Sequence, residues 1–405
     1  MKSQTRRFMA SMATAIAAVL TVHPASADAG NGNEFSRRPL LIEADRIFDG
    51  ARFAEGLAVL VRDGKIVRVA PPDQIQAGGA RRLRVPGGTI LPGFIDTHTH
   101  HLVNRVPAQR ILNHGVTTAR DLGGPVEPVT IEQPYQLRQF TSGPIITAPG
   151  GYPNVVFPGS GVEVTGMENV RAKVNELVGQ GASVIAVSLE PGGEAGAPWS
   201  QHHGHGHGHG HGSQPPWPTL SDEELDAIVD EAHRLGVRVT AYLGEPEGVR
   251  RALDAGVDEW AHMPCDPLPS DLIERAGTAG VAITGTLDTL TRCTGVDHNA
   301  HRLFHEGARI LYGTDLAHTD IPHGIDAQEI KLKLRAGMTI EQALASATSA
   351  AGRYLGIEPL GQLAPGAPAD LIVIDGDPRA NLKELEYPRV VVAGGRVVIK
   401  RAKGE

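Results

Sequence analysis

Two histidines one residue apart, His98 and His100, close the strand-like run Phe94-Ile95-Asp96-Thr97-His98-Thr99-His100. Residues i and i+2 of a strand face the same side, roughly 6.5–7 Å apart. Two imidazoles so placed can converge on one divalent ion at about 2.0–2.1 Å each. His262, in Trp260-Ala261-His262, and Asp315, in Tyr312-Gly313-Thr314-Asp315, end two later runs of the same kind. Such a set holds zinc, with manganese, iron or nickel as substitutes. The chemistry it suits is metal-assisted hydrolysis, in which an ion polarises the scissile carbonyl and activates water. Asp315 would take the water's proton and return it to the leaving group. His262, if it carries no metal, would stabilise the tetrahedral oxyanion.

Four such side chains need a scaffold that brings strand ends together. The middle of the chain, residues 91–357, contains eight strand-like runs: GFIDTHTH, VTTARDLGG, PIITAPGG, SVIAVSLEP, RVTAYLGE, VDEWAHMP, VAITGTLD and ARILYGTDL. Helical patterns such as DEELDAIVDEAHRLG, EGVRRALDAG and DLIERAGTAG lie between most of them, many ending in glycine. Eight β/α units of this total length predict an α/β fold, a (β/α)8 TIM barrel, whose functional residues gather at the C-terminal strand ends. A doubly wound open sheet is the competing arrangement, but no GxGxxG or P-loop turn follows a strand. Residues 40–90 and 358–405 share a different texture of short β-type runs, with Asp63-Gly64 and Gly394-Gly395 as hairpin turns. They predict one small β-sandwich domain built from both termini.

Leu91-Pro92-Gly93-Phe94-Ile95-Asp96-Thr97-His98-Thr99-His100 resembles the opening motif of the amidohydrolase superfamily, and Gly361–Pro378 resembles the segment where such chains return to their sandwich. The likeness runs from about residue 40 to 400 and is nearest to the branch containing imidazolonepropionases and prolidase-like metallohydrolases. It implies a metal-dependent barrel hydrolase in which His98 and His100 match the first-strand ligands, His262 the sixth-strand histidine and Asp315 the eighth-strand aspartate. Two positions depart from the pattern. Many relatives place a metal-bridging lysine where Ala186 stands, and a histidine where the fifth strand here ends in Ala241-Tyr242. A second metal would then have only His262, which leaves one ion on His98, His100 and Asp315. Glu190, just beyond the fourth strand, is a candidate replacement carboxylate, and a solvated loop acid is the alternative. Tyr242 is a candidate ligand, substrate contact or space-filling phenol.

The remaining features bound the biology. Of 405 residues, 18 are His and 2 Cys; hydrophobic residues are 41% and charged residues 21%, which excludes a largely disordered chain. A net charge of −8 with no basic patch argues against a nucleic-acid partner and for a small-molecule substrate. Residues 1–27 have the basic start, apolar core and Ala25-Ser26-Ala27 site of a signal peptide, and Arg6-Arg7 suggests a twin-arginine variant. The mature chain is thus expected to be periplasmic or secreted and off the membrane, with residues 28–39 as a linker. Residues 202–212 form a His/Gly-rich insert, read either as a metal-gathering arm or as an inert expansion. His318 and His323 follow Asp315 and are candidate substrate contacts, whereas His114, His233, His298, His301 and His305 are expected on the surface. Cys265 and Cys293 follow neighbouring strands and are candidates for a disulfide or remain two thiols. The expected reaction is hydrolysis of an amide or cyclic amide in a small molecule. A catalytically silent exported metal-binding protein on the same barrel is the rival reading, favoured by Ala186 and Tyr242.

Overall fold

Alternating apolar residues at both ends of the chain pair into one sheet. The protein is represented by a computed structural model that describes residues 38–129, 134–201, 215–318 and 320–402. The signal peptide, most of the linker and the His/Gly insert expected from the sequence lie outside the described residues. Five strands from the first end, Leu40–Phe48, Phe53–Glu55, Ala58–Arg62, Lys65–Ala70 and Arg81–Pro92, join three from the other, Leu371–Ile374, Val390–Ala393 and Arg396–Lys400. Arg81–Pro92 lies between the two groups, parallel to Leu40–Phe48 and antiparallel to Leu371–Ile374. The union has its own core, in which Ile42, Val59, Ile66 and Ile90 pack with Leu371, Val373 and Val390. Both expected hairpin turns are present, and Asp63 and Gly64 take the paired positive φ of a type I′ turn (50° and 77°). The two turns also touch. A Cβ on Gly395 would sit 2.7 Å from Gly64 Cα, so this approach requires glycine.

The middle of the chain folds as a TIM-barrel-like α/β unit. Its parallel wall strands are Phe94–Thr99, Val116–Asp121, Arg138–Thr141 continued by Ile145–Thr147, Val184–Ser188, Arg238–Tyr242, Glu259–Trp260, Ala282–Thr284 and Arg309–Leu311. Hydrogen bonds link the eighth strand's exit to the first: Thr97 N and Oγ1 donate to Tyr312 O, and Asp315 N donates to His98 O at 2.9 Å. The third strand begins earlier than its apolar run predicts. Arg138–Thr141 carries arginine and glutamine yet is largely buried, because Arg138 pairs with Asp370 at 2.6 Å and Gln139 with His101 at 2.7 Å. Tertiary partners thus neutralise polarity that the sequence alone reads as surface.

The three helices expected from periodicity are Asp222–Arg234, Pro246–Asp254 and Ser270–Ala279. A capping box between Ser221 and Glu224 starts the first of them. Inside the wall, Arg120 donates to Thr97 O and makes a two-pronged ion pair with Glu259, which also accepts from Thr240. This buried network fixes the first, second, fifth and sixth strands in mutual register beneath their C-terminal ends. Among the described residues no helix is long and apolar enough to cross a membrane.

Candidate metal centre and its cavity

His98 is fully buried, and its Nδ1 donates to the carbonyl of Ala261 at 2.6 Å. That bond fixes the tautomer and leaves Nε2 as a lone-pair donor. His98 Nε2 lies 3.2 Å from His100 Nε2, and Asp315 Oδ1 lies 3.6 Å and 3.1 Å from the two. The three donor atoms fall within 4.8 Å of one another, the one such group of three among the described residues. Asp315 reaches this point through a left-handed backbone (φ 59°), which turns the chain sharply after the eighth strand. Aspartate tolerates that region better than most residues, and Thr286 and Ala317, also on this face, share a positive φ.

The electrostatics match a cation site. Burial, then the nearby His262, holds the His98 imidazole well below its usual range, so it is neutral. Burial alone would raise the Asp315 carboxyl, but His318, His100 and His98 around it hold it well below the usual carboxylate range. Neutral imidazole and ionised carboxylate are the ligating forms. Burial lowers the His100 imidazole, but Asp315 beside it raises it above its usual range, so this ring would release a proton on taking an ion. Asp315 Oδ1 is buried, facing nothing but the two ring nitrogens. A divalent ion therefore fits the residues present.

The other predicted residues are distributed unevenly. His262 stands beside the trio, its ring 4.6 Å from that of His98, but it is outside the three-donor group. Its Nδ1 lies 3.1 Å from Thr286 Oγ1, and burial pushes its pKa down to about 4. Tyr242 places its hydroxyl 3.2 Å from His98 Nε2. His318 Nε2 sits 3.3 Å from Asp315 Oδ2. Glu190 is not the solvated loop acid of the alternative reading, and it stands outside the three-donor group. It is buried, accepts from Gly192 N through Oε1 at 2.9 Å and leaves Oε2 without a hydrogen-bond partner, and burial, then the neighbouring Glu194, pushes its carboxyl far up. His323 is a second correction, being packed near Arg110 rather than lining the cavity over the trio. His114 is half-buried at a helix C-terminus, while His298, His301 and His305 are exposed as expected. Ala186 lies fully buried within the fourth strand, and Cys265 and Cys293 form a disulfide.

Over the trio opens a cavity of about 230 Å³, lined by His100, His262, Asp315 and His318 together with Val103, Asn104, Leu122, Ile145, Tyr152, Phe157, Ser160 and Trp199. Sequence reading missed Tyr152 and Phe157, which lie in loops, and Trp199, in the short 3-10 turn Pro198–Gln201. The wall they form is braced: Trp199 Nε1 donates to Glu194 at 3.1 Å, and its ring lies 5.3 Å from His262 and 6.0 Å from Tyr152. A buried tryptophan donor needs an acceptor. The acid Glu194, five residues upstream, is the signal that was available.

Comparison with known proteins agrees with this geometry. The model of the amidohydrolase family matches residues 89–398, which include the trio and His262. The chain belongs to the amidohydrolase family. As an amidohydrolase it is an enzyme of the class that hydrolyses carbon–nitrogen bonds. It is 27% identical over 342 residues to an uncharacterized protein of Mycobacterium tuberculosis, covering 76% of this chain and 85% of that one. Ochratoxinase of Aspergillus niger is 28% identical over 247 residues, 56% of this chain and 48% of that enzyme. In fold, this amidohydrolase is similar to a putative prolidase from Bifidobacterium longum, with a TM-score of 0.73 at 24% identity over 91% of this chain and 96% of that one.

Proposed function

We propose that this chain is an exported, mononuclear metal-dependent amidohydrolase that cleaves an amide or cyclic amide bond of a small molecule, related in use to the prolidase-like members of its family. The observation that carries the reading is the convergence of His98 Nε2, His100 Nε2 and Asp315 Oδ1, with His98 Nδ1 already committed to Ala261 O. These three residues would hold one divalent ion, zinc first and manganese, iron or nickel as substitutes, in the three-ligand pattern of catalytic sites. When bound, the ion supplies Lewis acidity to the scissile carbonyl and makes water a nucleophile near neutral pH.

The chain's own groups do the rest. Asp315, ionised at its Oδ1 and Oδ2, accepts a proton and returns it to the leaving nitrogen. His318, 3.3 Å from Asp315 Oδ2, orients that carboxylate at the cavity's edge. His262 is neutral, and in the tautomer where Nδ1 accepts from the Thr286 hydroxyl its Nε2–H is a donor for the developing oxyanion. Tyr242 braces His98 through its hydroxyl. We take the eight wall strands as a closed (β/α)8 barrel over residues 91–357, and 40–90 with 358–405 as a sandwich. The leader of residues 1–27 supports export, and the Cys265–Cys293 disulfide suits an oxidising compartment. Metal analysis of the purified protein tests the reading, followed by a screen of amides, lactams and dipeptides with chelated and zinc-loaded enzyme. One metal equivalent and zinc-restored hydrolysis are expected; a zinc-loaded protein inert across the panel would overturn it.

A further inference from the structure

We infer that this cavity takes amides whose substituents are small, uncharged and apolar, and that it discriminates against substrates with a free carboxylate next to the scissile bond. The inference rests on the hydrolase reading above and specifies its substrate class. Apart from the catalytic groups, the walls are hydrocarbon and aromatic, dominated by Val103, Leu122, Ile145, Tyr152, Phe157 and Trp199. Asn104 and Ser160 are the uncharged polar exceptions. Among the described residues, none that lines the cavity is lysine or arginine. The internal segments 130–133, 202–214 and 319 contain neither residue type. The nearby buried guanidinium, Arg120, is committed to Glu259.

Outside the cation cradle, the wall therefore offers a free carboxylate neither a guanidinium nor an ammonium group. His318, at the rim, already faces Asp315. A carboxylate beside the scissile bond would give up its water shell against this wall with no guanidinium fork to receive it. A neutral aryl or branched alkyl group would instead bury its surface on the braced Trp199–Tyr152 wall. The volume, about 230 Å³, is below the range of roughly 300–1,000 Å³ usual for drug-sized ligands, which restricts the occupant to about one ring.

A matched pair tests this: N-acetyl-2-phenylethylamine against N-acetyl-L-phenylalanine, which differ by one carboxylate beside the amide nitrogen. With the zinc-loaded full chain, kcat/KM for the neutral amide is expected to exceed that for the acid at least about tenfold. Calorimetric binding of the two compounds is expected to follow the same order. Ser160→Arg, which sets a cation at the cavity wall, is expected to narrow the gap. An acid hydrolysed or bound as well as the neutral amide overturns the inference, as does an unchanged gap in S160R. If neither compound is hydrolysed but the neutral one still binds more tightly, the hydrolase reading falls and the cavity's preference stands. If neither binds, the inference falls.

Discussion

The strand ends of the barrel-like unit have two unlike sides. Where the first and eighth strands finish, His98, His100 and Asp315 present nitrogen and oxygen donors within 4.8 Å of one another. Where the fourth and fifth finish, the matching positions are Ala186 and Tyr242, hydrocarbon and phenol, both buried. Nearby Glu190 lies outside the three-donor group; its Oε1 accepts from Gly192 N, and burial, with Glu194 beside it, pushes its carboxyl far up. The same scaffold thus supports a complete cation cradle on one side and a packed, neutral wall on the other. Ligand geometry on one side does not require donors on the other, because each strand end is held by its own backbone ladder and by the Arg120–Glu259 network beneath.

Breaking the polar side has the largest expected effect. Asp315→Asn should lower kcat by about 10³-fold, the scale of a lost proton acceptor, and reduce bound metal below one equivalent by elemental analysis. Full activity with full metal content would remove Asp315 from the site. Converting the neutral side comes next. Ala186→Lys puts an ammonium into a fully buried position, and urea denaturation should register a loss of several kcal/mol. Unchanged stability together with a second metal equivalent would show that this side is a dormant donor site, and the contrast drawn above would be lost.

Acid separates the two sides more finely. The His262 imidazole titrates near 6.5 when unfolded and is pushed down to about 4 by burial in the fold. Between those values the unfolded chain binds the extra proton, so stability is complete above about pH 6.5 and declines as the pH falls to about 4. The loss in metal-free protein should be about 3 kcal/mol, followed by denaturant midpoints at each pH. His262→Gln should flatten that part of the profile; the same slope in the variant would assign it to other groups. The smallest effect is expected from Tyr242→Phe, which removes the hydroxyl 3.2 Å from His98. One hydrogen bond of about 1 kcal/mol predicts a change in kcat of about fivefold. A loss comparable to that of D315N would promote Tyr242 from brace to ligand.

Much of this was written in local patterns. The HxH spacing, the strand-end positions of His262 and Asp315, the three helices and both hairpin turns follow from periodicity, capping and turn chemistry, which act over a few residues. Arg138–Thr141 was not legible, because its burial depends on Asp370 and His101, partners distant in the chain. Glu190 read as a replacement ligand or a solvated loop acid, and its burial was not legible, since a carboxylate's surroundings are set by distant segments. Tyr152, Phe157 and Trp199 carried no signal of a shared wall, as residues in loops and a short turn follow no period.

The sequence by itself determined which residue types are present to bind a cation, and on which strand ends they stand. The tertiary structure alone decided that three of them converge while Glu190 and His323 stand outside the group, and that an uncharged aromatic wall closes the space above. The division has a physical cause. Strand alternation and helix periodicity are properties of neighbouring residues, whereas a donor atom's partner and a cavity's charge depend on which distant segments the barrel-like wall brings together.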